Sequence, residues 1–89
     1  LVAPSGLTAT WLGGGVVQIT WHDSSSDETG FSVERMYNGG WVTGATVGPN
    51  ATSANYPGLK SHASYTFRVQ VTNAAGQVAY SPYVNLNTP

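Results

Sequence analysis

Tyr65-Thr66-Phe67-Arg68-Val69-Gln70-Val71-Thr72 carries apolar residues at strict two-residue spacing, with Thr, Arg and Gln filling the gaps. Successive side chains of an extended strand point to opposite faces, so this stretch has one apolar face and one wet face. Val17-Gln18-Ile19-Thr20-Trp21 repeats the pattern far upstream. Two half-buried strands of this kind call for one sheet packed on another. A large aromatic closes the upstream stretch and another opens the downstream one, and both Trp21 and Tyr65 are expected in the core.

Turn residues divide the chain on either side of these strands. Pro4-Ser5-Gly6 marks the entry, and Leu7 and Ala9 begin a first strand ending near Leu12. Gly13-Gly14-Gly15 turns the chain into the strand from Val16 to His22. Asp23 to Gly30 reads as a polar loop, and Phe31 and Val33 anchor a third strand. Asn38-Gly39 is a strong hairpin signal, because both central residues of the favoured turn need positive φ. Trp41 to Val47 returns as a fourth strand, Gly48-Pro49-Asn50 breaks it, and Thr52 to Tyr56 is a weak fifth. After Pro57-Gly58 and the Tyr65–Thr72 strand, Asn73 to Gln77 forms a loop. Val78 to Asn87 is the last strand, interrupted at Pro82, which cannot donate to a ladder. Seven short strands with no helical periodicity predict an all-β, immunoglobulin-like antiparallel β-sandwich. In this register Glu34 and Arg68 face solvent on neighbouring strands, within reach of each other.

Composition narrows the function. The 89 residues form a single domain, 1–89, able to bury roughly 60–65% of its unfolded surface. With no Cys, no disulfide staples it. Net charge is −1 and 8% of residues are charged, against about 25% ordinarily. Arg35, Lys60 and Arg68 are the only basic side chains and lie far apart in sequence, whereas a nucleic-acid footprint needs them clustered. No apolar run approaches the roughly 18 residues of a membrane helix. The first residue is Leu rather than Met, as expected of a domain excised from a larger multidomain protein.

Several segments together resemble a known family: Pro4-Ser5-Gly6-Leu7-Thr8-Ala9, Ile19-Thr20-Trp21, Gly30-Phe31-Ser32-Val33-Glu34-Arg35, Gly58-Leu59, Tyr65-Thr66-Phe67-Arg68-Val69 and Asn73-Ala74-Ala75-Gly76. In order and spacing they are similar to a fibronectin type III domain over essentially the whole chain. The wording of Glu28-Thr29-Gly30-Phe31, Asn38-Gly39-Gly40 and Asn73-Ala74-Ala75-Gly76 is similar to domains found as accessory modules in secreted bacterial polysaccharide-degrading enzymes. The resemblance implies that Trp21 fills the core. It also implies that Tyr65, six residues after Leu59, makes a tyrosine corner with backbone just upstream. Between Leu59 and Tyr65 the family usually carries Pro or Ala and then Gly-Thr, where this chain has Lys60-Ser61-His62-Ala63-Ser64. No Arg-Gly-Asp occurs, so adhesion through that motif is not supported.

Candidate chemistry is sparse. His22-Asp23-Ser24-Ser25-Ser26 contains the residue types of a hydrolytic triad, but neighbours on a strand end point apart and no Gly-x-Ser-x-Gly turn exists. Asp23, Ser25, Asp27 and Glu28 offer oxygens to calcium, but Glu28 stands where the usual loop needs Gly. His22 and His62 lack further ligands at zinc spacing. No catalytic, cofactor or metal site is expected, and Asn50-Ala51-Thr52, a glycosylation sequon, is idle in a bacterial protein.

Trp11, Tyr37 and Trp41 are the candidate glycan or protein contacts, with Tyr80 and Tyr83 as further aromatics. Leu12 is expected to point inward, leaving Trp11 exposed, and Trp41 to cover one end of the core. The leading expectation is therefore a secreted, monomeric, non-catalytic spacer that positions neighbouring domains of one polypeptide in a polysaccharide-degrading enzyme, with no nucleic-acid or membrane partner. The alternative is a module that itself binds polysaccharide or protein through exposed aromatics or loops.

Overall fold

The computed structural model describes residues 1–89. Eight strands follow one another, with no helix: β1 (Ser5–Gly13), β2 (Val16–His22), β3 (Glu28–Tyr37), β4 (Gly40–Val47), β5 (Ser53–Tyr56), β6 (Ser64–Asn73), β7 (Val78–Tyr80) and β8 (Val84–Asn87). They form two antiparallel sheets packed as a sandwich. One has the order β1-β2-β5, and the other β4-β3-β6-β7 with β8 also pairing β6. The alternating residues meet between them: Val17, Ile19 and Trp21 from β2, Phe31 and Val33 from β3, Phe67, Val69 and Val71 from β6, with Tyr56 and Leu59. Trp21 is 5% exposed and tilts against Phe31 with ring centroids 5.4 Å apart.

The eighth strand comes from Pro82. β7 pairs the far half of β6 (Thr72↔Val78 to Gln70↔Tyr80) and β8 the near half (Phe67↔Val84 to Ser64↔Asn87). Across the break, Ser81 substitutes for the missing ladder: the Val69 N–H donates to Ser81 Oγ at 2.8 Å and the Ser81 N–H to the Val69 carbonyl at 2.9 Å. The one edge read from sequence is thus two short strands on a common partner.

At the β3–β4 turn, Asn38 and Gly39 have φ of 52° and 79°, the positive pair that the hairpin requires. The return strand then departs from simple alternation. Val33 pairs Ala45 but Glu34 pairs Thr43, leaving Gly44 as an extra residue in a β-bulge. Without it, parity from Val47 and Ala45 sends Thr43 and Trp41 inward. With it, both turn outward.

The chain ends leave from opposite ends of the sandwich, whose principal extents are 40 × 24 × 18 Å. Val2 is held against the Asp23–Asp27 loop, its N–H donating to Ser25 Oγ at 2.7 Å. That loop joins the end of β6 where the Asn73 amide donates to Asp27 at 3.0 Å. At the start of β6, the His62 N–H donates to the Pro89 carbonyl at 2.8 Å, and Ala63 N–H to Thr88 Oγ1 at 2.9 Å. The ten residues of β6 separate the two ends by about 33 Å.

Two expectations fail on β1 and at the start of β3. Leu12 is the exposed residue, at 52%, while Trp11 packs partly buried against the core. Trp11 pairs Val17 across β1–β2, so the face shared by Leu7 and Ala9 carries it inside. The Asp23–Gly30 segment is not a solvated loop throughout. β3 begins at Glu28, which pairs Asn73 and is buried.

Candidate functional site

Trp11, Tyr37 and Trp41 fall on three different surfaces. Trp11 lines the core. Tyr37 lies beyond the core on the inner side of β3, where the Arg35 guanidinium sits 4.8 Å from its ring and 5.7 Å from that of Tyr65. Trp41 does not cover an end of the core: the bulge at Gly44 carries it to the outer face of the five-stranded sheet.

There it joins a side-chain stack. Glu34 and Arg68 pair across β3 and β6 on that face, with Arg68 Nε donating to Glu34 Oε1 at 2.8 Å. Their strand faces are as expected, but the pair is not open to solvent: the two side chains are only 12% and 16% exposed. Trp41 and Tyr80 cover it, with the Arg68 guanidinium 4.2 Å from the Trp41 ring and 4.0 Å from the Tyr80 ring. Tyr83 leans on Trp41 at 5.2 Å between centroids, tilted 46°. The positive guanidinium lies over negative ring faces, and shielding from water strengthens both that attraction and the ion pair. Spacing along the chain alone does not bring these aromatics together. Gly44 inside a strand was the available signal for the bulge that collects them.

Elsewhere the polar groups are committed to structure. In the candidate calcium loop, Asp23 Oδ1 accepts from the Ser25 N–H at 3.1 Å, and Ser25 Oγ donates to the Val2 carbonyl at 2.5 Å. The Asn73 amide holds the Asp27 carboxyl below its usual range, and Glu28 is buried. No group of three or more His, Asp or Glu side chains gathers as a metal-binding set. His22 and the adjacent serines form no nucleophile–base pair, and no cavity opens anywhere on the surface. Arg35 lies on the inner side of β3, while Arg68 lies on the outer face paired with Glu34, so these two do not form a basic patch.

The far end carries the tyrosine corner. The Lys60 N–H donates to Tyr65 Oη at 2.8 Å, with Tyr65 half-buried rather than fully enclosed. His62 takes φ of 55° within the stretch where the family usually carries glycine. On the opposite sheet, Tyr56 Oη donates to the Val42 carbonyl at 2.9 Å, and burial pushes its phenol above the usual value against an opposing pull from Arg35.

A family model described as "Fibronectin type III domain" matches residues 2–87. Human Contactin-3 is 33% identical over 96 residues, covering 98% of this chain and 9% of the relative. The chain thus spans about a tenth of the length of the curated relatives it matches. The sixth fibronectin type III domain of human fibronectin type III domain containing protein 3 has a TM-score of 0.77 at 23% identity, covering 99% of this chain and 85% of that one. Pectate lyase Pel3 from Pectobacterium carotovorum has a TM-score of 0.80 at 11% identity, covering 99% of this chain and 27% of the enzyme's. At those identities the two structures establish the fold alone.

Proposed function

Since the chain belongs to the fibronectin type III family, whose domains are typically non-catalytic modules of multidomain proteins, we propose that it is a spacer in a secreted polysaccharide-degrading enzyme. Its role is geometric. The observation that carries this reading is that the chain ends leave from opposite ends of a sandwich 40 Å long. A flexible linker of equal length has a similar average reach, roughly 50 Å, but spreads over a wide range of separations. A folded domain holds one separation and so sets the effective concentration of one neighbour at the other's target.

The likeness to Contactin-3 favours a second reading, a binding module of an extracellular protein. Replacing the domain with a Gly-Ser segment in its parent chain separates the two. The spacer reading expects a larger loss on bulky insoluble polysaccharide than on a small soluble substrate. Equal effects on both, or none on either, would sink it.

A further inference from the structure

We propose that the outer face of the five-stranded sheet is a shallow platform for a single chain of uncharged polysaccharide. Tyr83 and Tyr80 are 64% and 46% exposed beside half-buried Trp41, so three aromatic side chains lie together at the surface. The C–H faces of a pyranose ring are apolar and slightly positive, and they stack on the negative faces of such rings. Two of these rings are already held, because Arg68 lies against both Trp41 and Tyr80 and is itself fixed by Glu34. Pre-set side chains lose little freedom on binding, which favours a ligand with few contacts.

The chemistry around the rings selects the ligand. Gln70 pairs Tyr80 on one side and Ser32 on the other, so all three share this face. Asn85, opposite Thr66, accepts from the Thr66 hydroxyl at 2.7 Å and keeps its own amide hydrogens for a ligand. These groups exchange hydrogen bonds with hydroxyls. The charges at the centre, Arg68 and Glu34, neutralise each other, so a charged polymer finds no uncompensated partner. A protein interface ordinarily takes roughly 20–30 residues a side, far more than this cluster supplies. The 46° tilt between Trp41 and Tyr83 does not match a flat crystal surface but suits one twisting chain. With no enclosed cavity, the face touches a chain along its side rather than at its end.

The inference stands apart from the spacer reading, since a domain holds its neighbours apart whether or not this face grips a chain. The test is mobility of the 89-residue domain in native gels containing mixed-linkage β-glucan, xyloglucan, galactomannan or polygalacturonate, against a gel with none. Retardation is expected in at least one neutral polysaccharide and not in polygalacturonate. Tyr83→Ala and Tyr80→Ala should each weaken it at least five-fold without moving the unfolding midpoint of Tyr83→Ala, while Tyr37→Ala, away from this face, leaves it unchanged. No retardation in any neutral gel, indifference to both face variants, or retardation by polygalacturonate alone would overturn the proposal. So would sedimentation showing a dimer that Tyr83→Ala dissolves, because a second copy would then cover the face.

Discussion

The ring of Tyr56 occupies the space where a side chain on Gly44 would have to stand. One residue lies in each sheet, and the contact closes the sandwich where β5 approaches β4. Gly44 is also the bulged residue whose insertion turns Trp41 outward. One residue of β4 thus adjoins the core on one side and re-aims the aromatic stack on the other.

Gly44→Ala tests this relationship directly. Its φ is not in the left-handed region, so alanine gains about 0.4–1 kcal/mol from a less flexible unfolded chain. Overpacking a buried ring costs about 1–3 kcal/mol. The clash should win, and urea melts are expected to show net destabilisation. A stabilised variant would mean that the ring moves aside freely.

Trp21→Ala should cost about 3–5 kcal/mol, since it removes a large aromatic from the centre of the core. Tyr65→Phe should cost less, about 1–2 kcal/mol, for loss of the Lys60–Tyr65 hydrogen bond. Identical urea midpoints for Tyr65→Phe and the parent would show that the corner does not contribute to stability.

An exposed ion pair contributes about 0.2–1 kcal/mol. The Glu34–Arg68 pair lies under Trp41 and Tyr80, so a double-mutant cycle with Glu34→Gln and Arg68→Met should give a coupling above about 1 kcal/mol. It should also survive high salt, which screens open pairs more strongly. Coupling that vanishes in 1 M salt would show that water reaches the pair.

His62 carries a side chain in the left-handed region, at a cost of roughly 1–2 kcal/mol that glycine avoids. Glycine's extra freedom in the unfolded chain returns part of this, so His62→Gly should stabilise by about 0.5–1 kcal/mol. A lower melting midpoint for His62→Gly would instead reveal a contact made by the imidazole.

Alkaline pH should act through Tyr56. Its folded pKa lies above the unfolded value of about 10, so the folded state holds the proton longer. That contribution is complete below pH ~10 and is lost as pH rises through the raised value. Urea midpoints followed from pH 8 to 11.5 should fall less steeply in Tyr56→Phe than in the parent. Equal slopes would place the alkaline loss elsewhere.

Alternation along single strands determined much of this protein from sequence alone. It placed Val17, Ile19, Trp21, Phe67, Val69 and Val71 inside, and Asn38-Gly39 and Pro82 located the hairpin and the broken edge. Trp11 was legible too, because parity from Leu7 and Ala9 takes it inward; the apolar character of Leu12 misdirected that reading. These are local properties, set by the pleat of a strand and the φ that each residue tolerates. Tertiary structure decided the rest. Glu28 is drawn into β3 by pairing with Asn73, 45 positions away, and the bulge at Gly44 that turns Trp41 outward lies against Tyr56 of the other sheet. The shielding of Arg68 by Trp41 and Tyr80 likewise joins three strands. Bulge position and side-chain cover depend on which distant segments meet, and no periodicity within one segment encodes that.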